Sequence, residues 1–168
     1  GEQPDPADRA EAQEDQERVR DRLADMVTAL DRGQDAWAVR REMERLVRDQ
    51  KDLAERTADA AARNAGKAAE ELDQQAQGEL EELAEEQRAL SERAAQAVED
   101  MLEREPTVRK KDPAEAQALA EAARRGQRGR VAERLEQAAE QIRQNQGNEA
   151  SRQQQGALQA MQQMMEDL

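Results

Sequence analysis

Large apolar and small side chains recur in this 168-residue chain at alternating spacings of four and three, and that rhythm limits what it can fold into. Val39, Met43, Leu46, Gln50, Leu53, Thr57, Ala60 and Asn64 keep the alternation without a slip. A second run, Leu83, Gln87, Leu90, Ala94, Ala97 and Met101, repeats it. A seven-residue period lines these positions along a narrow seam of an α-helix, which is buried by close pairing with another helix. The two runs also match as sequences. Residues 46–56 and 83–93 share Leu, Gln, Leu, Glu and Arg at five of eleven positions, and each places a Gln on the seam.

Composition pulls two ways. Only 28 residues are large and apolar, Trp37 is the single aromatic, and 39% of residues are charged. So little apolar area offsets the entropy of ordering poorly, which favours disorder. Yet Ala, Glu, Arg, Gln and Leu lose little on entering a helix, and there are only four Pro. Periodicity decides for order. The expected fold is all-α: an elongated antiparallel bundle of coiled-coil hairpins, followed by a set of shorter up-and-down helices.

Along the chain, residues 1–7 with Pro4 and Pro6 read as an extended lead-in, and residues 8–104 as long helical hairpins. Val19, Leu23, Met26 and Leu30 form a first stripe, and Gly33 stands where a cap would turn the chain into an antiparallel hairpin. Trp37 is expected to anchor the packing of that hairpin. Between Gly66 and Gly78 the seam loses phase. A single helix over 34–104 would be about 105 Å long, but a break there is favoured because Gly is costly inside helices. Glu105-Pro106 is expected to end the third run, with a loop over 105–112 and a new helix opening at Pro113. The remainder, 113–168, reads as short helices: one stopping at Gly126, one over Arg130 to Asn145, and a last one after a cap pair at Gly147 and Asn148, with Leu158, Met161, Met165 and Leu168 on its apolar stripe.

The chain has no His and no Cys. Thiolate and imidazole zinc sites, the Ser-His-Asp triad and the Glu-x-x-His pattern of di-iron bundles are therefore unavailable. Glu79, Glu82 and Glu86 share a helical face, but no calcium loop or phosphate-binding Gly loop accompanies them, so they read as a solvated surface. No catalytic residue, metal ligand or cofactor site is assigned. The net charge of −13 disfavours nucleic acid. Arg109-Lys110-Lys111 and Arg124, Arg125, Arg128 and Arg130 are the local positive excess, placed to compensate helix ends and acidic neighbours. Gln50 and Gln87 are candidate register-setting seam residues. Met161, Met164, Met165 and Leu168 form a candidate partner or self-association surface, because methionine adapts to many shapes.

The Gln- and Arg-rich stretch from Gln144 to Leu158, with the paired Leu-x-x-x-Gln-x-x-Leu-x-Glu-Arg copies, resembles the long helical regions of large envelope-anchored proteins from GC-rich bacteria. That resemblance implies a location outside the cytoplasmic membrane, with tethering by a segment outside this stretch. The opening Gly1-Glu2-Gln3 has the look of a trimmed start, so absence of a targeting segment carries little weight. Ala150 and Ala157-Leu158 are spaced as in the second helix of a tetratricopeptide repeat, although no 34-residue period recurs.

A non-catalytic structural or protein-interaction module is the expected function, working through helix faces and completed by homo-oligomerisation. Alternatives are a conditionally folded helical protein of lipid surfaces or stress protection, and a tetratricopeptide-like scaffold. Within this segment no membrane contact is expected.

Overall fold

The structure, a computed structural model, describes residues 6–31 and 34–168, with side chains described over 13–27 and 34–168. Six α-helices and no strand occur among the described residues: α1 (Pro6–Asp31), α2 (Gln34–Arg63), α3 (Gln74–Arg109), α4 (Pro113–Arg128), α5 (Val131–Arg143) and α6 (Gly147–Asp167). Helices α2 to α6 pack on one another around a single core.

The heptad seams form the centre of that core. On α2 every seam position from Val39 to Ala60 is buried, as is Asn64 just past its end, and on α3 every one from Leu83 to Met101. Partners along the two helices run in opposite directions: Asp35 meets Arg104, Asp49 meets Arg93, Gln50 meets Gln87, Glu86 meets Arg56 and Glu79 meets Arg63. The pair is therefore antiparallel. Helix α3 buries more than its seam, adding Leu80, Ala84, Ser91 and Val108, because α4 and α5 cover its other flank. Ser91 Oγ donates to the carbonyl of Ala132 at 2.7 Å, and Arg88 Nε lies 3.1 Å from Glu136, so α5 runs antiparallel to α3.

Large side chains such as Met43, Leu46, Met101, Leu119, Leu135, Ile142 and Met161 are fully buried, each stabilising by about 1.5–3 kcal/mol. Alanine fills the rest. Ala116, Ala122, Ala123, Ala138, Ala139, Ala150 and Ala157 have no exposed surface, which lets helices approach closely and make a core from few bulky residues.

The phase loss between Gly66 and Gly78 is a true break. Helix α2 ends at Arg63, Gly66 takes φ +77°, a 3₁₀ turn covers Ala69–Glu71, and α3 starts after Asp73. Asp73 caps α3 by accepting from the backbone N–H of Ala76 at 2.8 Å. Across the bundle, Asn145 Nδ2 donates to the carbonyls of Asn64 and Lys67, tying the α5–α6 turn to this break.

Several expectations are corrected. Pro106 does not end α3, which runs on to Arg109. One missing N–H near a helix end is a small loss, and the last turn carries Val108 into the core. Gly126 does not stop α4. It is buried inside that helix, where a Cβ would lie 2.8 Å from Met164 Cε and 2.9 Å from Val98 Cγ2. The turn after α4 is instead made by Arg130 at φ 51°. Gly147 opens α6 rather than capping the helix before it, since a Cβ there would collide with Ala61, and Asn145 takes the left-handed turn at φ 55°.

The first hairpin differs most. Val19, Leu23 and Met26 remain 55–61% exposed, and α1 barely touches α2. Trp37 is not a packing anchor: it is 64% exposed, with the Arg41 guanidinium 5.8 Å from its ring centroid. Gly33 and the side chain of Leu30 lie outside the described residues.

Candidate functional site: a buried amide cluster and an uncovered helix

Two features stand out once the bundle is assembled. One is polar and buried; the other is apolar and exposed.

The seam glutamines of α2 and α3 meet in the core. Gln50 Nε2 donates to Gln87 Oε1 at 3.1 Å, and Gln87 Nε2 donates back to Gln50 Oε1 at 2.6 Å. Gln154 of α6 joins them, its Nε2 donating to Gln87 Oε1 at 2.9 Å and to Thr57 Oγ1 at 3.2 Å. Thr57 passes the chain on, donating to the carbonyl of Leu53 at 2.8 Å. None of the four is more than 4% exposed. Amides and hydroxyls of this kind do not titrate near neutral pH, so the cluster offers no acid, base or metal ligand. It can discriminate between packings, because a shifted helix would leave buried amides unpaired.

Gln154 stands outside the sequence-based candidates, although the sequence carries a signal for it. Ala150, Gln154, Ala157, Met161 and Met164 alternate by four and three, and all are buried. The expected stripe through Leu158, Met165 and Leu168 lies beside that seam, partly buried. Met161 and Met164 are core residues rather than surface, and Met164 packs where Gly126 leaves room. Of the four residues assigned to a partner surface, only Met165 and Leu168 keep appreciable exposure.

Many of the arginines are ion-paired with acidic neighbours. Arg56 forks onto Glu86, raising the guanidinium pKa and holding the Glu86 carboxyl below its usual range through that hydrogen bond. Arg93 bonds Asp49 at 2.8 Å and Glu42 at 3.0 Å, which raises its pKa against the opposing effect of burial. Arg63 holds Glu79, so two of the three carboxylates on the acidic face of α3 are ion-paired. Among the described residues no group of three or more acidic side chains is arranged to hold a metal ion. In the basic segments, Arg109 pairs with Glu105, Arg124 with Glu121, Arg125 with Asp167 and Arg130 with Glu133.

The exposed feature is α1. Every described side chain from Gln13 to Val27 faces solvent, and Val19, Leu23, Met26 and Val27 form a contiguous apolar strip on one side of it. Isolated exposed apolar residues are ordinary, whereas these four lie together on one helical face.

No protein-family model, curated protein or solved structure matches this chain.

Proposed function

We propose that this chain is a non-catalytic interaction module, in which the bundle of α2 to α6 is a rigid scaffold that holds out α1 for a protein partner. The uncovered strip of Val19, Leu23, Met26 and Val27 carries this reading. A helix of 26 residues with few tertiary contacts is only marginally stable alone, and an exposed apolar stripe gains nothing until it is covered. Most arginines of the scaffold are held by acidic neighbours, which suits a support more than a binding site for anions. In this reading Gln50, Gln87 and Gln154 fix the register of coiled-coil-like pairing in the scaffold. The resemblance to envelope-anchored helical regions is compatible with a spacer or docking element outside the cytoplasmic membrane. No described helix is long and apolar enough to cross a bilayer.

Hydrogen–deuterium exchange of the whole chain tests this directly. Peptides across Val39–Met164 are expected to be strongly protected, while those across Gln13–Val27 exchange quickly in dilute solution. Uniformly fast exchange would remove the scaffold and favour the conditionally folded alternative. Uniformly slow exchange in a dilute monomer would mean that α1 is already covered by its own bundle.

A further inference from the structure

We propose that α1 clasps a second copy of this chain, its apolar strip lying in a groove between α3 and the α4–α5 turn of that copy. The inference rests on the interaction-module reading and names the partner that reading leaves open.

The groove comes from the turn. Helices α4 and α5 cover one flank of α3 in succession, and their cover is interrupted where Arg130 turns the chain at φ 51°. There a hollow of about 220 Å³ opens, lined by Ala95 and Val98 of α3 and by Gly126, Val131 and Ala132 opposite. Ala95, Val98 and Leu102 follow at steps of three and four, so they stand on one line of α3. Leu102 is 42% exposed, the one large apolar side chain of α3 to α6 left so open. At 1.5 Å per residue the line from Ala95 to Leu102 is about 10 Å long, against about 12 Å for Val19 to Val27.

Charge is the second observation. At about 100° per residue, the strip of Val19, Leu23, Met26 and Val27 is bordered by Arg20 on one side and by Arg22 and Asp15 on the other. Arg18 holds Asp15 at 2.5 Å. Glu14, Glu17, Asp21 and Asp25 fall on the opposite face. The border of the strip is therefore cationic, although α1 as a whole carries eight acidic residues against four Arg. A complementary mate is apolar at its floor and acidic at its rim. Glu92, Glu99 and Glu103 supply that rim, because all three are exposed and fall next to the line of Ala95 and Leu102 on α3. The ion pairs of α3 with its neighbours run instead through Glu79, Glu81, Glu86, Arg88, Arg93 and Arg104, so these three carboxylates keep their charge toward solvent. Across the hollow Arg130 is already held by Glu133.

Both halves of the contact stand open in the single chain: Val19, Leu23 and Met26 are 55–61% exposed, and so is Leu102 in part. A second copy supplies each half with its mate, and a two-fold arrangement makes the contact twice. An anionic lipid surface fits less well. Four apolar side chains bury little, and the acidic excess of α1 repels the headgroups.

Sedimentation velocity of the whole protein over about a hundredfold range of concentration is expected to show a monomer–dimer equilibrium obeying mass action. Leu23→Glu on the strip and Leu102→Glu in the groove should each weaken dimerisation by about tenfold or more, with the thermal transition of the bundle nearly unchanged. Ala95→Glu, at an exposed position, is a second groove variant with the same expected effect. Mixing identifies the pairing. The Leu23→Glu protein keeps its groove and the Leu102→Glu protein keeps its strip, so the mixture should associate more tightly than either variant alone. Arg20→Glu with Arg22→Glu should weaken the dimer, and adding Glu99→Arg with Glu103→Arg should restore it. A monomer at every concentration would overturn the proposal, as would a dimer indifferent to both groove variants or a mixture no tighter than its components. Protection of Gln13–Val27 in a dilute monomer would overturn it in favour of the chain's own groove, and protection seen only with phosphatidylglycerol vesicles in favour of a lipid surface. In every case hydrogen exchange across Val39–Met164 reports the scaffold separately, so loss of self-association and loss of the scaffold are told apart.

Discussion

Replacing Gln87 by Met removes the hub of the buried amide cluster while keeping an unbranched side chain of similar length. Gln87 accepts from Gln50 and Gln154 and donates to Gln50. After the change, both polar atoms of the Gln50 amide lose these partners in a site 1% exposed, while Gln154 Nε2 keeps Thr57 Oγ1. Each buried group left unpaired costs about 1–3 kcal/mol, and the apolar replacement returns about 1–2 kcal/mol of burial. With two groups unpaired, the net loss at the centre of these ranges is about 2.5 kcal/mol. The double variant Gln50→Met/Gln87→Met removes both partners together, so it should be less destabilised than Gln87→Met alone and lie within about 1 kcal/mol of the parent. Urea denaturation followed by circular dichroism gives all four corners of the cycle, and the coupling between the two sites should be about 2 kcal/mol or more. Additive single effects, or a Gln87→Met protein as stable as the parent, would refute the claim that these amides depend on each other.

Two glycines should respond with opposite sign. Gly78 lies inside α3 with open space where a Cβ would go, so Gly78→Ala should stabilise by about 0.5–1 kcal/mol, whereas Gly66→Ala at φ +77° should destabilise by about 1 kcal/mol; thermal melts of both separate the cases. The Glu86 carboxyl is held below its usual value of 4.5 by the Arg56 hydrogen bond, so its contribution to stability is present above that value and is lost as pH falls through the lower folded value. Because both partners are about half exposed, Glu86→Gln should flatten the acid limb of the stability curve by no more than about 1 kcal/mol, which titrated urea melts would detect.

The large residues announced the seams of α2 and α3, and there the sequence was legible position by position. The phase loss it showed between Gly66 and Gly78 overlaps a break that runs from Arg63 to Gln74, and α4 starts at Pro113, where Asp112 accepts from the N–H groups of Ala114 and Glu115. The C-terminal helices were harder to read because their buried faces are largely alanine, which looks the same on a surface as in a core. A reading that follows Leu and Met alone picks Leu158 and Met165 and misses Ala150, Gln154 and Ala157. Gly126 and Pro106 misled for a related reason. Both are local breakers by propensity, and both sit where tertiary contacts outweigh propensity: Met164 and Val98 fill the space at Gly126, and buried Val108 extends α3 past Pro106. Half of the amide cluster was visible as two seam glutamines. That they face each other, and that a third arrives from α6, depends on antiparallel register and on a helix nearly seventy residues further along the chain.

A small apolar inventory explains why the bundle and α1 diverge. With few bulky residues available, the bundle reaches a packed interior by bringing alanine faces together. Adding α1 as a further layer would require an apolar face on the outside of α2 to α6, and the outer positions of α2 are occupied instead by Arg40, Arg41, Glu44, Arg48 and Lys51. Covering Val19, Leu23 and Met26 with that charged surface would take Arg48, Lys51 and the Arg40–Glu44 and Arg41–Glu44 pairs out of water, at a cost that works against the gain from the stripe. The same economy that closes the core with alanine is consistent with α1 standing outside it, its described apolar side chains uncovered by the bundle.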